Sequence, residues 1–403
     1  MAFLSRRVRQ LSPQLLLYFA AIACLGVASG CFHTSYNNFL DDVFQIDAQA
    51  RGMLELPREM PGFLVAVMTG LLAFLPETRV AGISALVTFV GMGGLGLVDR
   101  GAFSSHQWQW MVGATVLWAI GTHLIMPVRS AIGMSLAHQS RHGRRLGQMS
   151  AIGAAATIVG AGFAWVTSAG RAVPPYWLIF TAGGLMAVVA GVLFFNMRGI
   201  GRQTKRPRMI IRRQYWLYYV LCLLFGARKQ MFITFGPWVL IKVFRRQVVT
   251  FAKLWICGAL LTVFTNPLIG NLIDRFGERK ILVVDSFILM LICVGYGAAH
   301  WLGPNGVYLA FLCFILDDVM FGVGNARATY LAKIAEKPEH VTASLSLGVS
   351  LDHAVSMSLP TLGGYVWVRY GHPWVFLGAG GIALLMMIFS ALIRVPENGA
   401  EKD

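Results

Sequence analysis

The sequence predicts an all-α, polytopic membrane protein of twelve transmembrane helices in two pseudo-symmetric six-helix bundles. Three observations predict this class. Of the 403 residues, 56% are hydrophobic and only 13% charged. The mean hydropathy is +0.63. Apolar runs near the ~20 residues needed to cross a bilayer recur along the whole chain. A soluble enzyme is not expected.

The first apolar run, 14–38, is too long for a cleaved signal peptide and lacks an A-x-A-like flank, so it reads as a retained helix with a cytoplasmic amino terminus. The second, 51–75, opens with charge: Glu55, Arg58 and Glu59 share one helical face, and Pro57 and Pro61 deny it a regular hydrogen-bond ladder. Such an end suits an outer gate or binding mouth, or neutralises itself near the headgroups. Spans 79–98, 108–137, 147–169 and 174–197 complete an amino-terminal bundle, 1–197.

A hydrophilic connection, 198–213, follows with seven basic residues: Arg198, Arg202, Lys205, Arg206, Arg208, Arg212 and Arg213. It reads as a cytoplasmic linker that enforces topology and touches anionic membrane lipids. Spans 214–243, 250–273, 280–300, 306–335, 342–369 and 373–395 form the second bundle, 214–403. The net charge of +16 would suggest nucleic acid in a soluble protein. Here most basic residues fall on the side of the two termini, the positive-inside pattern, so both termini are expected in the cytoplasm and no nucleic-acid partner is.

Six cysteines, Cys24, Cys31, Cys222, Cys257, Cys293 and Cys313, lie within spans without C-x-x-C spacing, and predict neither disulfide nor metal site. Gly91-Met-Gly93-Gly94-Leu-Gly96 matches G-x-G-x-x-G by letter, but inside an apolar span with no preceding strand. No cofactor is expected. Gly153, Gly160 and Gly162 in the fifth span, and Gly363 and Gly364 in the eleventh, read as close helix packing.

The two halves resemble one another, as parallel repeats do. At a constant separation of 200 positions, Val43, Phe44, Leu54, Gly70, Leu72 and Arg79 meet Val243, Phe244, Leu254, Gly270, Leu272 and Arg279. The turn after the eighth span reads Gly270-Asn-Leu-Ile-Asp274-Arg275-Phe-Gly277-Glu-Arg279-Lys280. It resembles the signature loop G-x-L-x-D-R-x-G-x-R-K of major facilitator superfamily transporters, and the chain is similar to a bacterial subgroup of that family without an assigned substrate.

The resemblance implies a secondary transporter that alternates access around a midplane site. It also implies that Gly270, Asp274, Arg275, Gly277, Arg279 and Lys280 take part in cytoplasmic gating. The first-half loop departs from the pattern, with Phe74 at the aspartate position followed by Pro76 and Glu77. More of the gating would then fall to the second half.

Ionisable residues within spans cost about 2.5–3.5 kcal/mol each on insertion scales and tend to face a cavity or a partner. His123, Arg228, Lys229, Asp317 and Asp318 lie near mid-helix in spans 4, 7 and 10, which line the cavity in that family. They are the candidate substrate residues. Adjacent residues diverge by ~100° on a helix, so one member of each pair is expected to face the cavity. An interhelix ion pair that merely holds the bundle is the alternative. Asp317 and Asp318, with Asp352 and His353 of span 11, are candidates for proton coupling. Arg129 and Arg327 sit near the inner ends of spans 4 and 10, where packing or lipid contact is the expected role and Glu336 or Glu339 a candidate partner.

The function expected is therefore proton-coupled transport of a small solute, an organic anion among the candidates, by a monomer in a bacterial inner membrane. Multidrug-type efflux and a non-transporting receptor or scaffold on the same fold are the alternatives. Substrate identity, direction and coupling mode are not encoded in any recognisable motif.

Overall fold

The computed structural model describes residues 12–102, 104–137, 142–200 and 212–395, without the side chains of 142–144, 325, 338, 339 and 342. Arg202, Lys205, Arg206 and Arg208 of the basic linker, and the Glu339 side chain, lie outside them. The described chain is helical throughout, and the twelve expected spans are all present. Helix α1 (Pro13–Phe44) starts with Ser12 as N-cap, its side chain accepting from the Leu15 amide, and Pro13 in the first turn.

The second span is not one helix. It divides into α2 (Ala48–Met53), α3 (Glu55–Phe63) and α4 (Val65–Leu71), because Pro57 and Pro61 withdraw amides from its ladder. Then come α5 (Glu77–Asp99), α6 (Gln107–Ser135), α7 (His142–Ser168), α8 (Tyr176–Asn196), α9 (Trp216–Lys242), α10 (Val248–Phe276) and α11 (Glu278–Ala298). The tenth span is also broken, into α12 (Gly306–Met320) and α13 (Asn325–Ile334), joined by a 3-10 turn over Phe321–Gly324. Helices α14 (Pro338–Tyr370) and α15 (His372–Ala391) close the chain.

Eight helical stretches are long and apolar enough to cross a membrane by length and composition. The long helices α9 and α14 are not among them, and these carry Arg228, Lys229, Asp352 and His353. Large apolar side chains such as Val166, Phe264 and Leu377 stay exposed on the helices, as surfaces meeting lipid require.

Contacts group the chain into two units. The first comprises Met1–Gln45, Leu64–Arg206 and Gln247–Leu260; the second Ile46–Phe63, Pro207–Arg246 and Leu261–Asp403. Each thus includes the opening turns of a helix from the other half of the sequence. In the first unit, Leu15, Tyr18, Ile22, Ala81, Ile132 and Phe194 form a buried core. There α1 and α7 approach backbone to backbone: a Cβ on Gly30 would stand 2.3 Å from the Thr157 carbonyl oxygen, and one on Gly160 2.2 Å from that of Val27.

The second unit has its own core around Tyr215, Leu221, Ile273, Leu282 and Leu331. Within it α2 lies against α14, where a Cβ on Gly52 would stand 2.1 Å from the Pro360 carbonyl oxygen and one on Gly364 2.5 Å from that of Ala48. Gly91 of the G-x-G-x-x-G string serves packing too, facing the Trp118 backbone of α6. A Cβ on Gly162, expected to be a packing position, would meet nothing within 4 Å, so close helix approach does not require that glycine.

Since neither backbone at the α1–α7 crossing can yield, Gly30→Ala should lower stability by about 1–3 kcal/mol. Gly162→Ala should leave it unchanged. Thermal unfolding of the detergent-purified protein compares them, and equal midpoints would refute close packing as the role of Gly30.

Candidate functional site

The second unit concentrates its charge on one helix. Arg228, Lys229 and Gln230 are consecutive in α9, all buried, and the ~100° turn per residue aims each at a different neighbour. Arg228 Nη1 donates to Asp317 Oδ1 of α12 at 2.7 Å. Lys229 Nζ donates to Asp352 Oδ1 of α14 at 2.6 Å. Gln230 Nε2 donates to Glu55 Oε2 of α3 at 2.7 Å.

Gly226 permits the middle contact, because a Cβ there would stand 2.5 Å from the Asp352 carbonyl oxygen. Ser356 Oγ adds a bond to Asp352 Oδ1 at 3.2 Å. Both members of the Arg228–Lys229 pair are therefore engaged, where helix geometry alone suggested that one would face away. Asp318 is half-buried and forms no ion pair among the described residues.

Glu55, Arg58 and Glu59, expected at an outer mouth, lie buried in this unit. Arg51 pairs with Glu55, Arg58 Nε donates to Glu55 Oε2 at 2.6 Å, and Arg58 Nη2 lies 2.7 Å from Glu59 Oε1. His353 Nδ1 of α14 is 2.9 Å from Glu59 Oε2. Charges at i, i+3 and i+4 spacing thus neutralise one another inside the protein while Gln230 and His353 tie the broken helix to α9 and α14. Arg51 and Gln230 belong to this network and were not singled out in the sequence.

Asp285 of α11 was also missed. It is buried, with Oδ1 lacking a hydrogen-bond partner among the described residues, and the charges of Arg228, Arg327 and Asp317 reach it. Its only signal was a single carboxylate in the apolar run Ile281–Met290. Arg327 does not pair with Glu336; its guanidinium lies 3.3 Å from the centroid of the Phe225 ring, whose neighbour is Arg228. Glu336 pairs with Arg212 at 2.9 Å on the surface instead.

In the signature loop, Gly277 takes φ +81°, a left-handed backbone that favours glycine, between α10 and α11. Asp274, Arg275, Arg279 and Lys280 are exposed and make no ion pair among the described residues. The loop's ion pair comes from a residue the motif leaves open, Glu278, which meets Lys333 of α13 at 2.7 Å. In the first unit, His123 is buried and its Nδ1 lies 2.8 Å from the Ala119 carbonyl oxygen of its own helix.

Long apolar helices around buried, paired charges define an integral, multi-pass membrane protein. Residues 60–351 match the family model described as Major Facilitator Superfamily, and the chain belongs to that family. YncC of Bacillus subtilis, a protein named for metabolite transport, is 26% identical over 137 residues, which are 34% of this chain and 28% of YncC. The chain thus matches well under a third of that relative's length.

Among solved structures, the nucleoside transporter NupG superposes with a TM-score of 0.73 at 12% identity, over 94% of this chain and 98% of that one. The D-xylose-proton symporter does so at 0.73 and 12%, over 96% and 99%. At such identities the likeness is one of fold. Membership of this family places the chain among transporters rather than enzymes.

Removing one partner of a buried pair strands the other. Asp352→Asn should therefore cost about 3–5 kcal/mol, whereas replacing both members, Lys229→Met with Asp352→Leu, should restore most of it. Thermal unfolding of both variants measures this, and a parent-like midpoint for Asp352→Asn would show that the pair holds nothing together.

Proposed function

We propose that this protein is a secondary active transporter that moves a small organic anion by alternating access and couples the movement to protons. The observation that carries the reading is the pairing of Arg228 with Asp317 across α9 and α12. A cation buried in a membrane protein can hold either a protein carboxylate or a cargo carboxylate. An anion that displaces Asp317 from Arg228 leaves the aspartate charged in an apolar interior, where a proton neutralises it at the lower cost.

Asp318 is the adjacent acceptor, and Lys229, Asp352, His353 and Glu59 form a parallel chain of exchangeable partners. Cargo alone leaves the Arg228–Asp317 site with a net negative charge, whereas cargo and proton together leave it as neutral as the empty ion pair, which favours reorientation of those two states. The D-xylose-proton symporter supports the compatibility of this fold with proton coupling.

The moving bodies in this reading are the bundles 1–197 and 214–403, with 198–213 as the cytoplasmic linker. Gly270, Asp274, Arg275, Gly277, Arg279 and Lys280 gate the inner side, beside the Glu278–Lys333 pair. The protein works as a monomer in a bacterial inner membrane, with both termini in the cytoplasm.

In proteoliposomes carrying a pH gradient, Asp317→Asn and Asp318→Asn should each abolish gradient-driven movement of an organic anion that the parent transports. Arg228→Gln should abolish its movement with or without the gradient. Gradient-driven flux that survives in both aspartate variants would remove these carboxylates from coupling, and a neutral compound carried equally well by Arg228→Gln would favour efflux of uncharged drugs.

A further inference from the structure

Between Asp99 and Asp274 the chain contains no acidic residue. That stretch includes all of α6, α7, α8 and α9, so every buried cation on them depends on a carboxylate from another part of the chain. Arg228 and Lys229 have found theirs. Arg129, on α6 in the first unit, has not: its guanidinium makes no hydrogen bond or ion pair among the described residues, and its Nε is buried without an acceptor.

The carboxylates of the first unit are otherwise placed. Asp42 accepts from the Tyr176 hydroxyl and Asp99 from the Trp177 amide at 2.8 Å. Asp41 stands twelve residues beyond Ser29 on α1, about 18 Å away along the helix. No pair joins Arg129 to Glu77. Arg129 as a whole is half-buried, and a guanidinium with a buried nitrogen and no counter-charge is costly and is retained where something anionic completes it.

The surroundings of Arg129 are built. Tyr18 of α1, fully buried, places its hydroxyl oxygen 2.8 Å from the Arg129 carbonyl oxygen and 2.8 Å from Met149 Sδ of α7. These contacts fix three helices around a cavity of about 260 Å³ lined by Arg129, Ser29, Ser150, Thr157 and the glycines 26 and 153. The glycines form its wall, since a Cβ on Gly26 would stand 2.6 Å from the Gly153 carbonyl oxygen.

Hydroxyls inside helices usually bond back to the carbonyl four residues earlier, and Thr88, Thr122, Thr157 and Thr167 do so here. Ser29 and Ser150 make no such bond and have no other partner among the described residues. One unpaired guanidinium and two free hydroxyls therefore line one small cavity. Its size falls below the ~300–1,000 Å³ of pockets for drug-sized ligands.

We propose that Arg129, Ser29 and Ser150 form a binding site for the carboxylate of a small hydroxylated organic acid. This site defines the substrate class of the transporter. It rests on the organic-anion reading for its part in transport, while binding itself is measurable without flux. An anionic lipid headgroup offers the same charge and is the other source of such a ligand.

The test is calorimetric titration of the full-length, detergent-purified protein with lactate, gluconate and glucuronate, with sorbitol as an uncharged counterpart and phosphatidylglycerol micelles as a lipid arm. At least one acid should bind and sorbitol should not. Loss of a charge-assisted hydrogen bond should weaken that acid about ten-fold or more in Arg129→Gln. Arg129→Lys, Ser29→Ala and Ser150→Ala, which preserve charge or fold, should weaken it several-fold, and Arg171→Gln on the exposed surface should not.

Failure of all three acids to bind, or unchanged binding in Arg129→Lys, Ser29→Ala and Ser150→Ala, overturns the site. Binding of phosphatidylglycerol alone, lost in Arg129→Gln, overturns the free acid in favour of a headgroup. Acid binding that depends on Arg129 without gradient-driven flux of that acid would keep the site and discard proton-coupled transport. Proton-coupled flux of an acid that binds equally to every variant would do the reverse.

Discussion

A charge inside a helical bundle that faces lipid must find its counter-charge within the protein, and the second unit is built around that requirement. Cations within its spans are costly at ~2.5–3.5 kcal/mol each on insertion scales, and Arg51, Arg58, Arg228, Lys229 and Arg327 are each brought to a carboxylate or an aromatic face. Arg228 meets Asp317, Lys229 meets Asp352, and Arg51 and Arg58 share Glu55. Arg327 rests on the Phe225 ring, a cation–π contact that gains strength where water is excluded. These pairs decide which helices may be neighbours, because α9 cannot rotate without stranding three polar side chains at once. The broken geometry of the second span follows, since α2 and α3 bring their own charges and must dock where Gln230 and His353 can complete them.

The internal repeat is deeper in backbone conformation than in identity. Gln45 and Arg245, separated by the same 200 positions as the repeated residues, are the two non-glycine positions of positive φ among the described residues. Each closes its helix in the same way: the Gln45 amide donates to the Asp41 carbonyl and the Arg245 amide to that of Ile241. A left-handed cap on a side-chain-bearing residue carries a cost, and its recurrence at equivalent positions marks a chain reversal that both halves need. Immediately after each cap comes the segment that contacts assign to the unit formed largely by the other half, Ile46–Phe63 and Gln247–Leu260. The repeat therefore preserves the geometry of an exchange even where it has lost the residues.

Much of this architecture was legible in the sequence because hydropathy, linker charge and the signature loop are properties of contiguous residues. Partnership between helices was not legible, because spacing along a helix says nothing of the angle at which another helix arrives. Lys229 and Asp352 each stood out as charges in an apolar span, yet only the packing of α14 on Gly226 brings them together. Arg327 and Glu336 looked like partners by depth, and Phe225 and Arg212 intervened. Asp285 escaped notice because one carboxylate barely disturbs the hydropathy of a span. The breaks at Phe321–Gly324 and within the second span differ in legibility as well, since prolines mark the latter and only two glycines, Gly322 and Gly324, which also occur inside intact helices here, mark the former.

The distribution of acids gives the two units different electrostatic characters. The second unit balances its buried cations internally, so any anion that enters must compete with a protein carboxylate already in place. Competition of that kind makes binding conditional on protonation, which is a way to couple two species at one site. The first unit, whose central helices come from a stretch without acids, leaves Arg129 unbalanced, and an anion there displaces nothing. A cargo carboxylate would therefore find in the first unit a cation with standing affinity and in the second a cation whose affinity depends on a proton. Under the proposed mechanism the asymmetry would separate recognition of the anion from coupling, and it originates in where the chain places its few carboxylates.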